Sequence, residues 1–343
     1  MKTTLPDQFN TRMASMEDLV AIHGLREKTS LHYSGMPGMS LERLRNEFEM
    51  PGFDVAQSVR LVEDQRGRLV GLGEVVEIIE PPVYPYAWIT IDPEFENQGI
   101  EKYLLEWVEE RAAQVLERVS PEVRVALRTH VNHVIKTNRQ ALIDAGYQEI
   151  RHSYRMRVEM EGPPPRPIWP SGIHLRPYHP DVDARLVFET DEEVFEDHFG
   201  YVRQDPEEGF IKYMHHMAGD DSYDPSLWFL AVEGQELVAI CICRRYGPEE
   251  KDTGYISSLG VRRAWRRQGI AQALLLHAFG EFYNRGTYKV DLGVDAESLT
   301  GATELYKKVG MSVIRQFDMY EKVLRPGRDI SVNTLAPEAE EVN

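Results

Sequence analysis

The sequence predicts an α/β protein made of two tandem copies of one fold, and three observations carry that prediction. Residues 258–271 (SLGVRRAWRRQGIA) read as the end of an apolar strand, a basic loop with one glycine, and the start of an amphipathic helix. Residues 88–101 (WITIDPEFENQGIE) repeat the layout, with Gly99 preceding Gly269 by 170 residues and Gly146 preceding Gly310 by 164. Two near-equal offsets are the mark of a duplicated unit. Between the copies, residues 160–172 (MEGPPPRPIWPSG) hold prolines that neither a helix nor a central strand accommodates. A linker over 161–172 therefore separates a first domain, 1–160, from a second, 173–325, and leaves 326–343 as an aperiodic acidic tail.

Each copy opens with a strand and a helix. The first starts from Arg12, with Ser15 at the expected helix start; the second starts from His174, with Asp181 in that place. Further on, residues 238–244 (VAICICR) alternate as a strand, which turns Cys241 and Cys243 the same way. Two same-facing neighbours on one strand disfavour a disulfide, and two thiols are too few for a zinc site, so both are expected buried and reduced. A helix is expected from Ile270 to Asn284, closed by Gly286, then a strand over 289–294 (KVDLGV) and a helix through 301–310 ending at Gly310.

The loop at 266–271 carries the chemistry. Unpaired backbone N–H groups at a helix start, backed by the positive end of the helix dipole, suit a bound diphosphate. Arg266 and Arg267 precede Gly269, where backbone can approach an oxygen closely, and Ala271 keeps the space open. With Arg262 and Arg263, and Arg245 if it turns inward, they form a basic cluster that is either a ligand site or a solvated face.

Strand, Arg-x-x-Gly-x-Ala loop, helix, strand and a helix ending Leu-Tyr-x-x-x-Gly together resemble the GNAT acetyltransferase superfamily, in a tandem-domain type found in the mycothiol synthases. The resemblance covers roughly residues 12 to 325. It implies, for each copy, a mixed and mostly antiparallel sheet flanked by helices. It also implies acetyl-CoA as acyl donor, its diphosphate on Arg266, Arg267, Gln268, Gly269, Ile270 and Ala271, and its pantetheine arm along Leu259, Gly260 and Val261. The backbone N–H of Val261 would polarise the thioester carbonyl. The family's general acid falls on Tyr306, whose phenol is protonated at neutral pH and suited to a departing thiolate; the same ring could equally fill the core side of its helix. Where many members carry an asparagine eight residues before the tyrosine, this chain has Ser298. Where the cofactor strand often supplies a carboxylate base, residues 254–258 contain no acid, so the base is unassigned.

Acceptor-side candidates come from residues 193–201 (EVFEDHFGY), at the end of the second copy's first helix. Glu196, Asp197 and His198 are possible bases or amine binders, His198 because its ordinary pKa lies near 6.5; a capping histidine among solvated acids is the other reading. Tyr201 and Tyr255 could line the same cavity. In the first copy, Glu96 replaces Arg266, Glu101 replaces Ala271 and Leu142 replaces Tyr306. Two carboxylates would face an anion there, so that copy is expected to be structural or to wall the substrate site.

The reaction expected is direct attack of a small-molecule amine on acetyl-CoA, without an acyl-enzyme; a non-catalytic acyl-CoA sensor is the alternative. A net charge of −17, from 39 basic and 56 acidic residues, argues against nucleic acid or an anionic membrane as partner. No metal is implied. The start of the chain has no signal-peptide core and no stretch reaches about 18 apolar residues, so a cytoplasmic protein is expected. It would be a monomer built as a pseudo-dimer, or a homodimer.

Overall fold

The computed structural model describes residues 4–298 and 301–332. The first half runs β1 (Phe9–Met13), α1 (Leu19–Ser34), α2 (Leu41–Phe48), α3 (Val55–Ser58), β2 (Val59–Asp64), β3 (Leu69–Val76), β4 (Tyr86–Ile91), α4 (Ile100–Ala113), β5 (Val125–Asn132), α5 (Lys136–Asp144) and β6 (Gln148–Glu159). The second half repeats that order without the short α3. It comprises β7 (Ile173–Arg176), α6 (Pro180–Phe195), α7 (Pro206–Ala218), β8 (Trp228–Glu233), β9 (Glu236–Arg244), β10 (Thr253–Val261), α8 (Ile270–Asn284), β11 (Lys289–Asp295), α9 (Ala302–Lys308) and β12 (Ser312–Arg325).

All twelve strands join one mixed sheet, ordered β1-β2-β3-β4-β5-β12-β6-β11-β10-β9-β8-β7. The last strand of each half lies among the strands of the other. β6 pairs antiparallel with β11, β12 pairs antiparallel with β5, and β6 and β12 pair with each other at the centre. The halves therefore share a continuous sheet, although their sequences separate cleanly at the proline-rich segment. That segment, 161–172, forms neither helix nor strand and passes over α8, where Trp169 approaches His277.

The apolar alternation of β9 explains the layering. Ala239, Cys241 and Cys243 face α8, while Ile240 and Ile242 join the core under α6 and α7. α8 buries Leu274, Leu275, Phe279 and Phe282 against the sheet, each side chain contributing about 1.5–3 kcal/mol. Both cysteines are buried and unbridged. α8 starts and ends as the sequence predicts. Asp181 does not cap α6: the helix begins at Pro180 after His179, with Asp181 inside its first turn, because proline preorganises the first helical position. Ser15 does precede its element, capping the 3-10 turn Met16–Asp18 through a reciprocal bond pair with Asp18.

Candidate active site

β10 and β11 run side by side only from Thr253↔Lys289 to Ile256↔Leu292 and then part. Beyond that point β10 continues to pair with β9, and Arg262 donates to the Val238 carbonyl. Alternation along an antiparallel ladder then turns the N–H and C=O groups of Leu259 and Val261 away from β9 and into the gap. A bulge between Ile256 and Ser258 sends both serine side chains to the α6/α7 side: Ser257 accepts from Arg244 Nε at 3.0 Å, and Ser258 hydrogen-bonds Asp191 on α6. Gly260 lets α6 come this close, since a Cβ there would lie 2.2 Å from Val194.

The loop after β10 makes a 3-10 turn at Arg263–Trp265, then takes Arg267 and Gly269 through positive φ (64° and 91°) into α8. Among the described residues, nothing accepts a hydrogen bond from the backbone N–H groups of residues 267–271. They are bare donors at a helix N-terminus. The arginines divide sharply. Arg266 turns back onto α6, bonding Asp197 (3.2 Å), the Val194 carbonyl (3.4 Å) and its own Val261 carbonyl (3.1 Å). Arg263 grips the same Asp197 carboxylate with both oxygens within 2.7 Å, and Arg262 pairs with Glu193. Arg245 bonds the Asp221 carbonyl at the surface and does not join the loop. Of the loop's arginines, only Arg267 is exposed with no partner found among the described residues.

The first half has the same backbone. Asn97 and Gly99 adopt φ of 58° and 88°, and a 3-10 turn, Pro93–Phe95, precedes them. Here, however, the Glu101 carboxylate accepts from the Asn97 N–H at 2.8 Å, while Glu96 accepts from Tyr33 and Thr137. The loop is closed on itself by an anion of its own. Its sheet gap is wider still, β4 and β5 meeting only at Tyr86↔Arg128. A cavity of about 1140 Å³ lies over this half's β3 and β4, with Glu47, Glu74 and Trp88 on one side and Phe188, Glu192 and Tyr213 on the other.

Tyr306 on α9 is buried in the α8-side core that includes Cys241, Ile256 and Leu292. Burial, and then Cys241, hold its pKa above the usual phenol value, and no hydrogen bond to its hydroxyl is found among the described residues.

Over 96% of this chain and the whole of the other, the structure matches that of a GCN5-related N-acetyltransferase from Sphaerobacter thermophilus, with a TM-score of 0.79 and 32% identity. The chain belongs to this family, the GCN5-related N-acetyltransferases (GNAT). Residues 189–311 match the acetyltransferase (GNAT) family by sequence. A protein of Thermobispora bispora named mycothiol acetyltransferase is 27% identical over 68% of this chain and 75% of its own length; one of Streptomyces bingchenggensis with the same name is 25% identical over 76% and 79%. A tandem GNAT protein from the clavulanic acid biosynthesis pathway shares the fold at 12% identity, with a TM-score of 0.68 over 93% of this chain. This GNAT protein is an acyltransferase.

On its acceptor side, the acyltransferase departs from what residues 193–201 suggest. Asp197 is bound by Arg263 and then Arg266, which hold its carboxyl below the usual carboxylate range, so its oxygens are engaged in clamping the loop. His198 packs edge-on against Phe195, and burial lowers its pKa. Glu196 is half-buried at the C-cap of α6. Tyr201 donates to Glu192 and lines the large cavity; Tyr255 lies under Arg155. Ser298 follows β11, its N–H on the Asp295 carbonyl. Sequence reasoning missed Asp191 and Arg244. The signal for Asp191 was an acid in the apolar stripe of α6, four residues after Val187 and three before Val194.

Proposed function

We propose that the second half of the chain, 173–325, binds acetyl-CoA and transfers its acetyl group to the amine of a small molecule. The first half, 1–160, is read as a degenerate partner domain, 161–172 as the linker and 326–343 as a tail, of which residues beyond 332 lie outside those described. The diphosphate would rest on the N–H groups of residues 267–271 with Arg267 alongside, and the pantetheine arm would pair with Leu259 and Val261. Arg266 is assigned a positioning role, holding the loop to α6 through Asp197.

The observation that carries this reading is the contrast between equivalent loops: all donors at 267–271 stand open, whereas in the first half the Asn97 N–H, counterpart of that of Arg267, is taken by the Glu101 carboxylate. Matching backbones, one open and one holding its own carboxylate, argue for one cofactor site per chain. The Val261 N–H would polarise the thioester carbonyl as nitrogen attacks; the C–N bond forms, the C–S bond breaks, and Tyr306 returns a proton to sulfur. Approximation of two bound substrates is worth roughly 7–11 kcal/mol, so no covalent enzyme intermediate is needed. Burial raises the Cys243 pKa and keeps that thiol protonated, which removes it as a nucleophile. The shared sheet fits a monomer built as a pseudo-dimer.

Thiol release from acetyl-CoA, measured with spermidine, glucosamine and an alanyl peptide, tests the reading. Tyr306→Phe should slow amine-dependent release by on the order of 10–100-fold, with acetyl-CoA affinity within about twofold. Tight binding of acetyl-CoA with no amine-dependent release would instead identify a sensor.

A further inference from the structure

Resting on the acetyl-transfer reading above, we propose that Asp191 is the general base, taking a proton from the acceptor amine on the α6 side of β10. The family position for a carboxylate on the cofactor strand is empty in residues 254–258, and the facing helix supplies one at the same place. Val194 packed onto Gly260 holds α6 against β10, and Asp191, three residues earlier on the helix, meets Ser258. Ser258 directly precedes Leu259, whose peptide groups open into the gap between β10 and β11, and it follows the bulge that turns both serines toward α6 and α7.

The chemistry around Asp191 differs from that of the other buried aspartates in this half. Asp183 is held by Arg176, Asp197 by Arg263 and Arg266, Asp291 by Arg157, and Asp220 by Arg43 and Arg244. For Asp191, the Ser258 hydroxyl is the partner the structure provides, and no ion pair to it is found among the described residues. Arg244, which bonds the neighbouring Ser257, is turned to Asp220 and the His216 carbonyl. The groups that face Asp191 are Ser258 from β10, Glu192 from α6 and Tyr213 from α7; the Tyr213 hydroxyl is itself buried without a partner. A carboxylate so placed is costly to keep as an anion, and such groups cluster at functional sites. Burial is the main cause, and Glu192 adds to it, of an Asp191 pKa raised to about 7, only partly offset by the Ser258 bond. That value matches a base that must both accept a proton and be found deprotonated near neutral pH.

In the step proposed, the amine lone pair forms the C–N bond and the C–S bond breaks. The proton leaving nitrogen passes to the Asp191 carboxylate, directly or through the Ser258 hydroxyl, while sulfur takes its proton from Tyr306. Asp191 then returns its proton by way of solvent to the Tyr306 phenolate, and the balance closes.

The test is the pH dependence of amine-dependent thiol release in the full chain, using the fastest of spermidine, glucosamine and the alanyl peptide, with acetyl-CoA binding followed by calorimetry. The wild type should gain kcat/KM as pH rises through an acidic limb near 7. Asp191→Asn should lower kcat by about 100-fold or more, abolish that limb and leave acetyl-CoA affinity within about twofold. Ser258→Ala removes a hydrogen bond that favours the charged carboxylate, so the limb should move to higher pH while activity persists; this variant carries the test if Asp191→Asn does not fold. An acidic limb unchanged in either folded variant overturns the proposal and leaves the acetyl-transfer reading standing. Wild-type protein that binds no acetyl-CoA, or releases no thiol with any of the three amines, overturns both.

Discussion

One side chain decides what each loop can hold. Ala271 leaves the donors at 267–271 open, and Glu101, its counterpart, reaches back to the Asn97 N–H. A carboxylate near a helix start contributes about 0.3–1 kcal/mol, so Glu101→Ala should lower the urea midpoint by the equivalent of about 1 kcal/mol or less, with the slope unchanged. A midpoint that does not move would show that the cap contributes nothing. The replacement was readable in the sequence as two carboxylates facing an anion; the self-capping was not, because it depends on a side-chain direction. Arg266 failed for the same reason. Its spacing fits the family motif, but Asp197 and the carbonyls of Val194 and Val261 compete for the guanidinium, and nothing local in the sequence announces them.

Elements whose signals are local were legible, and those set by tertiary contacts were not. The helix Ile270–Asn284 follows from an apolar stripe with glycines at both ends, and the cysteine-bearing strand from alternation. The role of Asp197 was misjudged because an acid near a site looks alike whether it faces a ligand or an arginine. Asp197 joins α6 to the loop before α8. Arg263 and Arg266 depress its folded pKa below the usual carboxylate value, so the stabilisation is present above the unfolded-state pKa of about 4 and fades as pH falls toward the folded value. Asp197→Asn should therefore cost about 1–2 kcal/mol at pH 7, and the gap to wild type should shrink below about pH 4. Urea melts at pH 7 and pH 3 check this, and an equal gap at both pH values would contradict the clamp. Because Arg266 would then be released from Asp197, acetyl-CoA binding should weaken as well.

At the scale of the whole molecule, duplication was plain from two glycine offsets, while the exchange of β6 and β12 was invisible. Both strands alternate alike, and a strand's sequence records which face is buried more clearly than which neighbour it pairs with. The exchange makes the halves interdependent: removing β12 would leave the edges of β5 and β6 bare, a form prone to non-native pairing. It also places a self-capped copy and an open copy of the same loop in one continuous sheet. Among the described residues, no helix is long and apolar enough to cross a membrane. The most direct test is calorimetric titration of the full chain with acetyl-CoA, for the wild type and for Ala271→Glu, which writes the first half's self-cap into the second. One site per chain, lost in Ala271→Glu while the fold persists by circular dichroism, is the expected result. Two sites per chain, or binding that survives Ala271→Glu unchanged, would contradict it.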